Sequence, residues 1–495
     1  MARIPFMPVT DSMFLIGESR EHPMHVGGLQ LYTLPEDAGP DYLSKIYHSL
    51  VADEENVQPL FRRRPRRPVS SLGQWAWATD NQLDMEYHVR LTALPRPGRV
   101  RELLELTSRL HGSLLDRHRP LWEFSLIEGL EGNRFATYSK VHHALMDGVS
   151  SLILATRALS TDPDVRDMPP VWAMPPMDKP VKAGSGGGPL ELLESLRAAT
   201  QDIAGVLPAL VKSANVALRE QASVLPFQAP RSIFNVQITG ARRFAAQQWS
   251  IDRIKAIRRA TGATLNDVVL AMCSGALRRY LLELGALPDR PLIAMVPVSL
   301  RAKQKRSEAS GNSVGAILVN LGTHLEDPAE RFTQIQDSAQ IAKRSLAELS
   351  PLQILALSGL TMAPLAFAPL PGFVRMTPPP FNLIISNVPG SPRPLYWNGA
   401  RLQGMYPLSI PYDGQALNIT ITSYADNLQF GLTLSLIHTG PAPAAAARPP
   451  RRLLGRARKG SPLVPRQPFG PLEVIVSAGV FPDDAARGDS CTNAY

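Results

Sequence analysis

The chain has 495 residues, of which 44% are hydrophobic and 19% are charged, and its formal net charge is +9. This length exceeds what a single compact core usually holds, so we expect two domains. The positive charge comes without a helix-turn-helix pattern or an RNP-like aromatic strand, which argues against nucleic acid as a partner. The two cysteines, Cys273 and Cys491, exclude a disulfide framework and favour a reducing compartment.

The first third of the chain contains a predicted helix and a predicted hairpin. Leucines recur at helical spacing over residues 100–115, which predicts an amphipathic helix. Two apolar runs, 121–127 and 134–141, flank a turn over residues 131–133 and read as paired strands.

A Pro-rich and Gly-rich interval over residues 169–188 predicts a linker, and helical spacing follows over 190–222. Helices then alternate with strands such as 292–296 and 316–320. We expect an α/β (α+β) fold with mixed sheets packed against helices rather than a doubly wound parallel sheet. The predicted divisions are a first lobe over 1–165, a linker and helical connection over 166–230, a second lobe over 231–438, and a disordered basic tail rich in proline and alanine over 439–495.

The most informative segment is His142-His143-Ala144-Leu145-Met146-Asp147-Gly148, at the end of the second hairpin strand. Neighbouring strand residues point to opposite faces, so one histidine should act and the other should pack. Neutral imidazole can accept and return a proton near pH 7. An ion pair of Asp147 would fix the loop, and Gly148 would let the chain turn without crowding the site. A hydrogen-bonded core pair is the plain alternative. No metal site is predicted, because the chain has no HExxH, no paired CxxC and no third-ligand pattern.

This segment resembles the HHxxxDG signature of acyl-CoA-dependent acyltransferases with the chloramphenicol acetyltransferase-like fold. Further blocks resemble the bacterial wax ester synthase/diacylglycerol acyltransferase family, in the expected order. They are Asp11-Ser12-Met13-Phe14-Leu15, Pro23-Met24-His25-Val26-Gly27-Gly28, Pro120-Leu121-Trp122-Glu123, the block from Thr264 to Ala271, Pro297-Val298-Ser299-Leu300-Arg301, and Ser386-Asn387-Val388-Pro389-Gly390.

The resemblance implies two chloramphenicol acetyltransferase-like lobes with an interdomain tunnel. It implies His143 as the general base, His142 as a supporting residue and Asp147 as a structural residue, with Arg301 as its candidate partner. It further suggests that Asn266, Asp267, Arg301 and Trp122 contact substrate. Local readings stay open: side chains of the Thr264 block can cap a helix, Asn266 is equally compatible with a cap and with the active site, and a tryptophan that opens a strand is more often core.

The function implied is transfer of a long-chain fatty acyl group from acyl-CoA to the hydroxyl of diacylglycerol, which makes triacylglycerol, or of long-chain alcohols, which makes wax esters. Acyl-CoA is then a co-substrate, and no bound cofactor is expected. Two alternatives stay open: a non-catalytic or weakened acyl-CoA- or lipid-binding relative, and an acyltransferase for a smaller hydroxyl acceptor.

Location is inferred from the apolar and basic segments. The N-terminus lacks a secretion signal, so we expect a cytoplasmic protein peripheral to the inner face of the plasma membrane or to lipid droplets. The uncharged interval over residues 349–374 contains four prolines and predicts short buried or interfacial helices rather than a membrane span. Arginines over residues 62–67 form a solvated face or attract anionic lipid headgroups. The tail lacks the amphipathic helix with which the family normally continues, which puts activity in doubt.

Overall fold

The computed structural model describes residues 6–67, 74–175, 224, 226–299, 314–347 and 372–435, with isolated residues between 349 and 370. The predicted tail, the helical stretch over 190–222 and Arg301 lie outside the described residues. The helices are α1 Val9–Gly17, α2 Tyr42–Ala52, α3 Met85–His88, α4 Val100–Gly112, α5 Gly148–Arg157, α6 Ile251–Thr261, α7 Leu265–Glu283, α8 Pro328–Ala347 and α9 Phe373–Met376. The strands are β1 His25–Thr33, β2 Arg63–Arg66, β3 Ala76–Thr79, β4 Val89–Ala93, β5 Trp122–Leu130, β6 Arg134–His142, β7 Arg242–Ser250, β8 Ile293–Ser299, β9 Val314–Asn320, β10 Leu383–Val388, β11 Tyr396–Trp397, β12 Ala400–Leu408, β13 Leu417–Tyr424 and β14 Asn427–Ser435.

Two six-stranded sheets form the body of the protein. The first has the order β11-β12-β1-β6-β5-β4, and the second has the order β7-β14-β13-β10-β8-β9. Strands β4 and β5 are parallel in the first sheet, and β10 is parallel to both β8 and β13 in the second, while the other named pairs are antiparallel. The prediction of mixed sheets packed against helices is confirmed, as are the hairpin β5–β6 and helix α4.

The sheets do not follow the predicted boundaries along the chain. Strands β11 and β12 come from residues 396–408, inside the predicted second lobe, yet they complete the first sheet. Strand β12 pairs with β1 from Gly27 opposite Leu408 to Thr33 opposite Arg401. Without β12, the edge of β1 would leave its backbone N–H and C=O groups unpaired. A division into consecutive lobes, 1–165 and 231–438, therefore cuts through the first sheet.

Helix α4 and strand β12 join the two halves of the protein, by which we mean the part built around the first sheet and the part built around the second. Leu103 and Leu106 of α4 share one apolar cluster with Phe244 of β7, and the Ser108 hydroxyl accepts a hydrogen bond from the Phe244 N–H at 2.9 Å. Where β12 crosses β14, a Cβ on Gly431 would overlap the carbonyl oxygen of Pro407. Glycine is therefore required there by the close approach of the two backbones.

The arginines near residue 62 are partly engaged within the fold. Arg62 lies 3.6 Å from a carboxylate oxygen of Glu54, and the guanidinium of Arg67 lies 4.5 Å from the ring centroid of Trp75. These contacts use some of the positive charge of the cluster for local structure.

Candidate active site

The HHxxxDG segment is a tight turn between β6 and α5. The N–H groups of Leu145 and Met146 both donate to the carbonyl of His142, at 2.9 and 3.2 Å. The N–H of His143 donates to the carbonyl of Met24 at 2.9 Å, which ties the turn to the start of β1. The backbone position of both histidines is thus fixed by the first sheet.

His142 is fully buried, and a polar neighbour lies close to each ring nitrogen. The N–H of Ala144 donates to Nδ1 at 3.1 Å, so Nδ1 carries the lone pair and the proton of the neutral ring is on Nε2. Nε2 lies 3.3 Å from Oε1 of Glu18, although the N–H is not aligned for a regular hydrogen bond. This is the packing histidine, as the alternation of faces predicts.

Glu18 is a buried carboxylate that sequence reasoning missed. Its Oε1 accepts from the Met24 N–H at 3.2 Å, and its Oε2 accepts from Nε of Arg117 at 2.9 Å. Burial alone would raise the pKa of Glu18, but the contacts with His142, Met24 and Arg117 outweigh burial and lower this pKa. Glu18 is therefore a carboxylate at neutral pH. The signal in the sequence was weak, since an acid after a short apolar helix is usually exposed.

His143 is half-buried and differs from His142 in its surroundings. Its ring stacks on Phe14 of α1, with centroids 4.1 Å apart and an angle of 22° between the planes. Burial lowers the pKa of His143, and the charge of Asp147 raises it by less, so that this pKa is about 4. Within the described ranges, no other side chain forms a hydrogen bond with the ring. His143 is thus a neutral imidazole able to accept a proton.

Asp147 has a structural role as a helix cap, which differs from the predicted ion pair. It caps α5: Oδ1 accepts from the Ser150 N–H at 2.8 Å, and Oδ2 accepts from the Ser150 hydroxyl at 2.9 Å. Such a cap typically contributes about 1 kcal/mol. Its ion pair with Arg301 stays a prediction, because Arg301 lies outside the described residues.

Gly148 is not needed for the turn of the backbone, and its predicted role of leaving the site uncrowded stays a prediction. Its φ is not positive, and a Cβ at this position would meet Val26 at 3.8 Å, an ordinary contact. The turn of the backbone therefore does not require glycine here.

Asp267 is used by the fold rather than presented to substrate. The Thr264 hydroxyl accepts from the Asp267 N–H at 3.2 Å, and the Asp267 carboxylate accepts from the Thr264 N–H at 2.9 Å, which forms a capping box at the start of α7. Lys343 lies 3.7 Å from the same carboxylate. The prediction that Asp267 contacts substrate is replaced by this capping role. Asn266 is half-buried beside it, and no described contact joins Asn266 to the histidines, so its substrate role stays a prediction.

Trp122 is a core residue, which corrects the prediction that it contacts substrate. Its Nε1 donates to the carbonyl of Phe61 at 2.8 Å, and its ring stacks on His88 and Trp172 at 4.4 and 5.0 Å. The whole residue is 3% exposed. A ring enclosed in this way has no surface left for a ligand.

A buried polar layer lies beneath the turn, on the same face of the first sheet as His142. His25 is directly opposite His142 in the register and donates from Nε2 to the carbonyl of His111 at 2.7 Å. His111 accepts from the Tyr138 hydroxyl at 2.8 Å, and burial lowers the pKa of His111 to about 3. Lys140 reaches two carbonyls at the end of α4 and lies 3.1 Å from Glu123. This layer supports the turn and does not contact its open side.

The turn lies at the seam between the two halves. Met24 and Val26 of β1 form one apolar cluster with Ile410, which follows β12, and Phe14 and Tyr412 pack against it. Nearby, Nε2 of His22 lies 2.8 Å from Oδ2 of Asp413. The seam is where the predicted tunnel would run, and the tunnel itself stays a prediction.

Two mixed sheets that meet beside an HHxxxDG turn define the class of acyltransferases with the chloramphenicol acetyltransferase-like fold. Comparison with known proteins narrows this class. Residues 7–269 match the wax ester synthase/diacylglycerol acyltransferase catalytic domain, and residues 310–437 match the C-terminal domain of the same family. The chain belongs to the wax ester synthase/diacylglycerol acyltransferase family.

Individual relatives agree with this assignment. A probable diacylglycerol O-acyltransferase of Mycobacterium tuberculosis H37Rv is 55% identical over 426 residues, which cover 86% of this chain and 93% of that protein. The structure of the wax ester synthase/diacylglycerol acyltransferase from Marinobacter aquaeolei VT8 is 42% identical, covers 87% of this chain and 93% of its own, and superposes with a TM-score of 0.67. A trichothecene 15-O-acetyltransferase from Fusarium sporotrichioides shares the fold alone, at 13% identity and a TM-score of 0.52 over 88% of this chain and 90% of its own.

In the part of the chain that the structure describes, no helix is both long and apolar enough to cross a bilayer. The C-terminal family match stops at residue 437, close to where the sequence departs from the family pattern.

Proposed function

We propose that the protein transfers a long-chain fatty acyl group from acyl-CoA to the hydroxyl of diacylglycerol, and also to long-chain alcohols. The single observation that carries the proposal is the half-buried, neutral ring of His143 on the HHxxxDG turn, at the seam between the two halves. Family membership and the names of the relatives favour these substrates over small polar acceptors.

In the proposed reaction, His143 takes the proton of the acceptor hydroxyl as its oxygen attacks the thioester carbonyl. The tetrahedral intermediate then collapses, the carbon–sulfur bond breaks, and the thiol of coenzyme A leaves with the proton returned by His143. The acyl chain ends as an ester, without an acyl-enzyme. Acyl-CoA enters as a co-substrate, and this sequence of steps calls on no bound cofactor. Asn266 is proposed to polarise the thioester carbonyl.

We further propose that α1 places the site against the inner face of the plasma membrane or a lipid droplet. Met13 and Ile16 are 50% and 58% exposed on the helix that carries Phe14, and Arg20 is exposed just beyond its end. Apolar side chains beside a basic one suit an anionic lipid surface. An apolar acceptor could then reach His143 without crossing water.

The test of the reaction compares wild-type protein with His143→Ala, using labelled palmitoyl-CoA with diacylglycerol, hexadecanol or a short alcohol. We expect ester from the two lipid acceptors, and a loss of about 10²–10⁴-fold in the variant with retained acyl-CoA binding. Undiminished turnover in the variant would remove His143 as the base. Binding without any ester in the wild type would favour the lipid-binding alternative, and ester from the short alcohol alone would favour the smaller acceptor.

The test of the membrane proposal is flotation with vesicles that contain anionic phospholipid. We expect the double variant Met13→Ser/Ile16→Ser to lose vesicle binding. Leu282→Ser is the matched control, since Leu282 is also 52% exposed but lies on α7. Equal loss in both variants, or in neither, would contradict a role of α1.

A further inference from the structure

We propose that Glu18 is a positioning residue for the acyl transfer: its buried carboxylate orients His142 and the backbone at Met24, and through them the base His143. This inference rests on the proposed function of the same site. The side chain of Glu18 is 1% exposed, so its charge is separated from solvent and acts on its neighbours at close range.

Glu18 favours one tautomer of the His142 ring. Its Nδ1 accepts from the Ala144 N–H at 3.1 Å, which is possible only while Nδ1 has no proton. Oε1 of Glu18, 3.3 Å from Nε2, attracts the proton to that nitrogen and leaves Nδ1 free to accept. With Glu18 neutral or absent, only the Ala144 N–H favours this tautomer, and any share of the other tautomer would place a donor against that N–H and disturb the turn.

Glu18 and His143 both bind the backbone of Met24, from opposite sides. The Met24 N–H donates to Glu18, while the Met24 carbonyl accepts from the His143 N–H at 2.9 Å. The carboxylate thereby holds the residue whose carbonyl anchors the backbone of the base.

Helix α1 ends next to Glu18 and carries Phe14. The Phe14 ring is the stacking partner of His143, so a shift of the end of α1 also moves this ring. Arg117 holds Glu18 in place by donating to its Oε2 at 2.9 Å and to its backbone carbonyl at 3.2 Å. A single anchored acid thus influences the orientation of the His142 ring, the position of the His143 backbone and the position of the Phe14 ring that packs on His143.

The main test is Glu18→Gln, which keeps the size of the side chain and removes the charge. We expect kcat to fall by about tenfold to a hundredfold, because small displacements of a catalytic group carry penalties of this order. The KM for acyl-CoA should stay unchanged, since Glu18 does not contact substrate. Glu21→Gln is the matched control: this acid is exposed, lies on the same segment, and should leave kcat at the wild-type value.

A second measurement does not depend on turnover. Nitrogen NMR of protein labelled at histidine, with His142 assigned from His142→Gln, reports which ring nitrogen carries the proton. We expect the Nε2–H form in wild type and Glu21→Gln, and a changed or mixed form in Glu18→Gln. Wild-type kcat together with an unchanged His142 signal in Glu18→Gln would overturn the proposal.

The two measurements also separate this inference from the proposed function. If the wild-type protein makes no ester, the proposed function fails, while the NMR comparison still tests the orientation of His142. If Glu18→Gln does not fold, Arg117→Gln replaces it, because it removes the donors to Oε2 and to the backbone carbonyl of Glu18 from a side chain that is one-third exposed and leaves the carboxylate in place. That variant should also lose kcat, by a smaller factor than Glu18→Gln. A normal kcat in Arg117→Gln would count against the proposal.

Discussion

The stacking of Phe14 on His143 makes a quantitative prediction about acid inhibition. Burial is the main cause that lowers the pKa of His143 to about 4, and the Phe14 ring at 4.1 Å covers one face of the imidazole. In Phe14→Ala, water reaches that face, so the pKa should rise toward the usual value of about 6.5. The base must be neutral to act. As the pH is lowered, the variant should therefore lose activity at a higher pH than the wild type does.

The size of the effect follows from the two pKa values. At pH 5, a base with a pKa of about 4 is roughly 90% neutral, whereas a base with a pKa of about 6 is roughly 10% neutral. The variant should therefore lose about tenfold in kcat/KM at pH 5 through protonation alone. At pH 8 the His143 ring is neutral in both proteins, so protonation no longer lowers kcat/KM. The remaining difference between the two proteins should come only from the lost stacking interaction, worth about 0.5–1.5 kcal/mol.

The assay is release of coenzyme A from palmitoyl-CoA with a saturating lipid acceptor, measured from pH 5 to pH 8. The pH dependence of kcat/KM reports the pKa of the free enzyme. Phe14→Leu is the control, because leucine keeps an apolar cover over the ring, and circular dichroism at each pH shows whether the proteins stay folded. Parallel pH profiles for wild type and Phe14→Ala would refute the reasoning.

Three further predictions concern stability. Asp267→Ala removes half of the capping box with Thr264 and should lower the free energy of unfolding by about 0.5–2 kcal/mol, seen by urea denaturation, with kcat unchanged. Gly431→Ala should lower the melting temperature or prevent folding, because its Cβ would overlap the Pro407 carbonyl, while a normal melting curve would contradict the close approach. Burial lowers the pKa of His111 to about 3, so between about pH 3 and pH 6.5 the unfolded chain binds a proton that the folded chain does not. The free energy of unfolding should therefore be highest above about pH 6.5 and fall by about 1.4 kcal/mol per pH unit as the pH is lowered from about 6.5 toward about 3. The slope should be shallower in His111→Gln.

Local patterns predicted the elements whose causes are local. The hairpin β5–β6 follows from two apolar runs around a turn, and its end places His142 and His143 on different sides because successive strand residues alternate. The capping box of Thr264 and Asp267 is also local, since the two residues are three positions apart. Reading Asp267 as a substrate contact came from the family resemblance and not from this pattern.

Features that depend on distant parts of the chain were not predicted. Strand β12 joins β1 because an open edge near the N-terminus accepts a strand from residues 400–408, and neither segment shows this alone. Glu18 was missed for the same reason: its partners Arg117 and His142 meet it only after the first sheet has formed. Trp122 was misassigned because the sequence does not show that Phe61, His88 and Trp172 enclose it.

The short segment from Glu18 to His22 connects the base to the second half of the protein. At one end, Glu18 contacts His142, and at the other end His22 lies 2.8 Å from Asp413, which also accepts from the Ile238 N–H. Between them, a Cβ on Gly240 would overlap the carbonyl of Arg20, so the segment is in direct backbone contact with the strand-bearing second half. Any displacement of that half is therefore passed to the support of His142. The geometry of the base consequently depends on both halves, although both histidines belong to the first.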